Sequence, residues 1–438
     1  MLTTTGRVPR TLLMVATVTI AVGGCSGAGP SVASPSEVST GTPAALPSEL
    51  ASDEWLVVGT PGEAGLQVVL ASTREELVRL PMGVPNETWG EVVAATADGT
   101  TTTVEVITVQ PDLPARTRSL EGAWRLPALG DDALPVGVSS DKSTIVLVED
   151  GVPVDATTTR FAVLVEGEPT RIIELPGAFE YDTLAPDGSI LYVVEHLAGP
   201  PDGHYQVRAV DVATGRLRDE VIVDKRNLDA AMGGWPITQL RHDGGVVFTL
   251  YRGTDHTFIH ALNSIEAWAI CLGLPTIGAG EDAAVPDWGL GQSPEGRVVY
   301  AVNATLGLVV EIDPGDLSIR ATARFDAPRA AATISLAKFG HQDGGPVGRR
   351  VVVTPDGSTI YAAGAGGIVR IKADDLTLIG HVLEGAAVDA LAMTPDGSFL
   401  YALLPGQGRI ARIELASGQI TGYVPGDDFD RLVAIFPW

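Results

Sequence analysis

Four acidic side chains stand at one repeated offset in this 438-residue chain. Counting seven residues back from each of a series of turn sequences reaches Glu91, Leu134, Glu180, Pro236, Trp288, Arg349 and Asp389, and the C-terminal stretch adds Asp430. If the turns mark equivalent places in a repeat, these positions start the innermost strand of each unit and ring one mouth of a central channel. Glu91, Glu180, Asp389 and Asp430 would repel one another there, which raises some of their pKa values and makes the mouth receptive to a cation, an amine or another polar ligand. With Trp288 and Arg349 they form the candidate ligand-binding set. The same carboxylates could supply a general base, with or without a divalent metal, to a hydrolase or lyase. A plainer reading competes, in which the acids only keep surface loops solvated.

Other reactive residues offer less. His256 and His260 are four apart, about 13 Å on a strand, too far to share one metal ion. Cys271 lies within Ala267-Trp268-Ala269-Ile270-Cys271-Leu272, has no histidine beside it in sequence, and reads as a buried small hydrophobe. No P-loop, H-E-x-x-H, G-x-S-x-G, C-x-x-C or EF-hand pattern occurs, so neither a cofactor nor a catalytic residue can be named. The net charge of −25, from 29 basic and 54 acidic residues, excludes nucleic acid as a partner. Two cysteines exclude a disulfide-stapled scaffold.

The elements that would position such a ring are hairpins. In Thr394-Pro395-Asp396-Gly397, Pro presets the first corner, Asp hydrogen-bonds back to its local backbone, and Gly takes the left-handed conformation that closes the turn. The pattern returns as Thr354-Pro355-Asp356-Gly357, Ala185-Pro186-Asp187-Gly188 and Ser293-Pro294-Glu295-Gly296, each followed by an apolar run ending in Tyr. Degenerate copies stand at Asp98-Gly99, Asp141-Lys142 and Asp243-Gly244. Second strands such as Phe399 to Leu404 are apolar at consecutive positions, so both of their faces must be covered. Small four-stranded sheets packed radially supply that cover, which predicts an all-β propeller.

The turn landmarks at 98, 141, 187, 243, 295, 356 and 396 are spaced like propeller blades with loop insertions. Residues 430 to 437 align with an innermost strand, while Trp55 to Val58, Leu66 to Leu70 and Glu76 to Leu80 supply the other three strands of a blade. Pairing the two termini in that blade closes the ring at eight blades. Seven is the alternative, because the copy between 98 and 141 is poorly patterned.

Residues 1–25 read as a bacterial export signal: Arg7 and Arg10, an apolar run from Leu12 to Val22 too short to span a bilayer, then Val22-Gly23-Gly24-Cys25. Residues 26–53, rich in Ser, Gly, Pro, Ala and Thr, read as a tether with a reach of roughly 30 Å. Residues 54–438 are the propeller domain.

Two resemblances follow. Val22-Gly23-Gly24-Cys25 resembles the lipobox of bacterial lipoproteins, which implies lipid, palmitate among its acyl chains, on Cys25 and a partner in the membrane on its extracytoplasmic side. The P-D-G-x-x-x-Y hairpins, with Tyr300-Ala301-Val302-Asn303 nearest the signature, resemble the YVTN-type propeller repeat of bacterial surface proteins, sugar lactonases and the haem d1 domain of nitrite reductase. The C-x-x-C-H of the haem-bearing relatives is absent. The expectation is therefore a lipid-anchored envelope propeller that binds a small ligand or a protein partner. The alternative is a lactonase-like hydrolase or lyase working with carboxylates at the channel mouth.

Overall fold

The computed structural model describes residues 54–61, 65–86, 89–109, 115–128, 134–151, 156–197, 204–227, 232–253, 256–275, 287–328 and 348–436. The chain divides into two units, 1–44 and 45–438. Residues 1–53, expected to hold an export signal, the lipidated Cys25 and a tether, lie outside the described residues. Among the described residues no helix is long and apolar enough to cross a membrane.

In chain order, blade 1 takes β1 (Trp55–Gly59), β2 (Leu66–Leu70) and β3 (Glu76–Leu80). Blade 2 is β4 (Gly83–Pro85), β5 (Glu91–Asp98), β6 (Thr101–Thr108) and β7 (Arg116–Glu121). Blade 3 is β8 (Trp124–Arg125), β9 (Thr144–Glu149), β10 (Thr158–Val165) and β11 (Arg171–Pro176). Blade 4 is β12 (Phe179–Leu184), β13 (Ile190–His196), β14 (His204–Asp211) and β15 (Arg216–Ile222). Blade 5 is β16 (Met232–Arg241), β17 (Val246–Gly253), β18 (Thr257–Asn263) and β19 (Trp268–Gly273). Blade 6 is β20 (Trp288–Gln292), β21 (Val299–Asn303), β22 (Leu308–Asp313) and β23 (Ser318–Arg324). Blade 7 is β24 (Val351–Val353), β25 (Thr359–Gly364), β26 (Gly367–Lys372) and β27 (Leu378–Val382). Blade 8 is β28 (Ala390–Met393), β29 (Phe399–Leu404), β30 (Arg409–Glu414) and β31 (Gln419–Tyr423), and β32 (Arg431–Phe436) returns to blade 1.

Six sheets have four strands, and one of eight strands is blades 4 and 5 joined where His204 and Tyr205 pair with Gly233 and Met232. The propeller thus has eight blades. The first of them closes the ring in the order β3-β2-β1-β32, with Trp55 opposite Phe436 and Leu56 opposite Ile435. Apolar faces explain the stacking: eight buried clusters fill the gaps between consecutive blades, one per gap, including that between blades 8 and 1. The tyrosines of the repeat bolt neighbours together. Tyr192 Oη donates to the carbonyl of Ser264 in the next blade at 2.8 Å, and Tyr401 Oη donates to Glu54 Oε2 at 3.1 Å across the closure.

The turns work as their residues dictate. Asp396 Oδ1 accepts the amide of Ser398 at 3.0 Å, Asp356 and Asp187 do the same for Ser358 and Ser189, and Gly397, Gly357 and Gly188 hold positive φ. Hydrogen bonds from Ser398 and Thr394 pull the Asp396 carboxyl down to about 2. Lys142 takes the glycine's place at φ 64° in the degenerate copy.

Two expectations need correction. The turn at Asp98-Gly99 joins the second and third strands of blade 2, not the first and second, so Glu91 opens β5 and is not on an innermost strand. The true inner strand, β4, has three residues ending in Pro85, and a strand so short and proline-bearing has no sequence signal of its own. In blade 3 the inner strand opens at Trp124, is interrupted, and resumes where Val138 bridges Ile145; Leu134 belongs to the interruption.

Candidate functional site

The innermost strands enclose a central channel of about 1550 Å³ to which all eight blades contribute. Most inner strands pair on one side only and turn backbone amides and carbonyls of the other edge to the lumen; β16 also meets β14 at its first residues, and the Leu391 amide of β28 bonds the Arg349 carbonyl. Two faces are distinct. Inner strands start at one face of the ring, and the P-D-G hairpins lie at the other.

Of the eight positions predicted to ring one mouth, the structure brings six to the strand-start side and spends most of them on the fold. Trp288 opens β20 but is fully buried in the core between blades 5 and 6. Pro236 lies within β16, opposite Tyr251 and beside a bulge. Glu180 sits 3.3 Å from His196 Nε2, and this carboxylate raises the His196 pKa against the effect of burial. Asp430, half-buried, donates its amide to the Gly59 carbonyl at 3.1 Å. Asp389 pairs with Arg350, whose guanidinium also reaches Asp287 at 3.1 Å. Thr305 Oγ1 completes this buried cluster with a 2.6 Å bond to Asp287 Oδ2, linking blades 6, 7 and 8. Glu91 lies at the hairpin face, 3.4 Å from Arg116. Glu91 thus lies at the other face from the remaining three acids, and three of the four have cationic neighbours, so the expected ring of four does not form.

Arg349 differs. Its side chain lines the channel, exposed to the lumen yet walled by protein, and desolvation pushes its pKa below the usual arginine range. No carboxylate pairs with it among the described residues. It is the member of the predicted set whose geometry best suits a ligand.

The sequence reading missed a second polar group, on the wall where blades 4 and 5 meet. Arg241 Nη2 donates to Tyr181 Oη at 3.1 Å, and Gln239 Nε2 reaches Asp182 Oδ1 at 3.4 Å and Thr249 Oγ1 at 3.0 Å. Asp182 is the extra residue of a bulge in β12 and is buried. Burial raises its pKa to about 6, with nearby Arg241 opposing. The available signal was a charged residue at a position flanked by buried Tyr181 and Thr183 in the run Phe179 to Leu184.

His260 and Cys271 are cross-strand partners, which their sequence positions did not reveal. Burial pushes the imidazole down to about 4 and the thiol up to about 12, so both stay neutral near pH 7 and no thiolate forms. Among the described residues no group of three or more His, Cys, Asp or Glu is placed to hold a metal ion.

No protein-family model matches the chain, and no curated protein matches it. Solved structures do. Apo AztD from Citrobacter koseri is 13% identical, with 87% of this chain and 97% of that one covered at a TM-score of 0.50. Dihydro-heme d1 dehydrogenase NirN in complex with DHE is 13% identical, with 87% and 74% covered at 0.51. The periplasmic gluconolactonase PpgL of Pseudomonas aeruginosa is 18% identical, with 86% and 98% covered at 0.40. At such identities the likeness is one of fold.

Proposed function

We propose that the protein is a cell-envelope propeller that binds a ligand in its central channel and is held on the extracytoplasmic side of the membrane by lipid on Cys25. The observation that carries this reading is the channel: one cavity of about 1550 Å³ walled by every blade, with Arg349, which pairs with no carboxylate among the described residues, in its lumen. Small-molecule sites are typically concave spaces of roughly 300–1,000 Å³ with a few convergent polar groups, and this one has room to spare. A protein partner seated over the channel rim is the other occupant compatible with a tethered domain.

The site is tested by screening small metabolites for thermal stabilisation of the full chain. Thr238, half-buried on the channel wall, is replaced by Trp to narrow the lumen. Wild type gains about 2.7 kcal/mol from a ligand at a hundred times its Kd; Thr238→Trp loses that gain. Equal stabilisation of both proteins would move binding elsewhere. The anchor is tested separately: Cys25→Ala should shift the protein from the membrane to the soluble fraction, and unchanged partitioning contradicts it.

A second reading has one observation in its favour. A buried carboxyl pushed up to about 6 beside Arg241 and Tyr181 is the kind of group that serves as a general base in a hydrolase or lyase.

A further inference from the structure

We propose that the gap between blades 2 and 3 is an apolar cleft opening off the channel, and that it takes the uncharged, apolar body of the ligand. This rests on reading the channel as the binding site. Around most of the ring the cavity wall is inner strand and hairpin. Between blades 2 and 3 it runs outward, to Val106 and Arg116 on one side and Leu164 and Glu166 on the other.

Register shows how the cleft is built. On blade 2, Val84 faces Val93, Val93 faces Val106 and Val106 faces Arg116, one row across all four strands. On blade 3, Val138 faces Ile145 and Ile145 faces Leu164. Cross-strand partners share a face of their sheet, so each row is an aliphatic strip, ended on blade 2 by Arg116 on the outer strand. Val84, Val93, Val106, Val138 and Ile145 are only half-buried, whereas one row nearer the strand-start face Leu147 and Ala162 are closed off in the core. The blades therefore close at one face; toward the hairpin face Arg116 and Arg118 bridge them at the outer end, and an aliphatic-lined recess is left between those bridges and the channel.

The cause lies in the two weakest inner strands. β4 has three residues, and the inner strand of blade 3 is interrupted between Arg125 and Val136. Contrast blades 6 and 7: there Gly289 and Gly291 let β20 lie so close to β24 that an added Cβ would come within 2.8 Å of Arg350 and 2.7 Å of Val351.

Charge compensation selects an uncharged occupant. Arg116 is shared by Glu91 at 3.4 Å and Glu166 at 3.7 Å, Arg118 gives its guanidinium to the carbonyls of Val165 and Glu168, and Asp141 is held by Ser139 and Ser143. Lys142 stands out in solvent at the turn. An ionic group entering the cleft would lose its hydration for charges already paired, while an apolar body covers wet valine and isoleucine surface.

The test uses three probes of one skeleton, 4-phenylbutanol, 4-phenylbutyrate and 4-phenylbutylamine, in calorimetry on the full chain. The alcohol should bind about tenfold more tightly than either ion, with little salt dependence and a negative heat-capacity change. Val106→Trp should abolish its binding, and the volume-conserving Val106→Thr should weaken it about fivefold if the bulkier variant fails to fold. Tighter binding of either charged analogue overturns the proposal, as does the absence of heat with the alcohol at two well-separated temperatures. Binding lost in Thr238→Trp but kept in Val106→Trp would place the probe in the channel, ending the cleft proposal while sparing the channel reading.

Discussion

Asp182 and His260 are buried groups whose pKa values burial moves in opposite directions across the same pH range, to about 6 and to about 4. Between the carboxyl's unfolded value near 3.8 and about 6, the folded state holds a proton on Asp182 that the unfolded chain has lost, so stability falls as pH rises. Between about 4 and 6.5 the unfolded chain protonates His260 while the folded state keeps it neutral, so stability rises with pH. The two slopes offset each other in the wild type. Asp182→Asn should leave a rising profile and His260→Gln a falling one, each differing from wild type by on the order of 1–3 kcal/mol at the far end of its window. Urea unfolding across pH 4 to 7 measures both; parallel profiles for all three proteins would refute the assignment. At this scale the turn residues were legible, because Asp, Ser and Gly act within a few residues of themselves. The acidic ring was not. A shared offset fixes the height of a residue along a strand but says nothing of a neighbour such as Arg350, which is brought to Asp389 by the stacking of separate blades.

Strands and their order were largely legible, since two-sided apolar runs and P-D-G turns each have a local signature. β1, β2, β3 and β32 fall where the terminal patterns put them, and the eight-blade count holds. Blade 2 was shifted by one strand because β4 is three residues long and its neighbour carries the only turn that resembles the repeat. The closure has a direct consequence for stability. Deleting residues 430–438 removes β32, uncovers the buried edge of β1 and takes Leu432 and Val433 from two cores. The loss should be several kcal/mol against the roughly 5–15 typical of a domain, seen as a lower thermal midpoint and increased aggregation. A truncated chain melting within about a degree of full length would make β32 dispensable.

For the whole molecule, the decisive matter is what the ring encloses. Apolar faces are consumed between blades, and the surface is strongly acidic, with 54 acidic residues to 29 basic ones. The lumen has a different character: inner-strand edges, the partly desolvated guanidinium of Arg349, and a recess where the repeat is weakest. That recess coincides with the stretch between 98 and 141 in which the sequence pattern is poorest, as expected where a sequence departs from its fold's ideal for the sake of a site. Hydrogen–deuterium exchange of the full chain, with and without the compound giving the largest thermal shift, tests the channel most directly. Ligand in the lumen should slow exchange in the inner strands β12, β16, β20, β24, β28 and β32, which wall it, and leave the outer strands β3, β7, β11 and β15 unchanged. Protection confined to those outer strands, with the inner ones exchanging as before, would contradict a channel site.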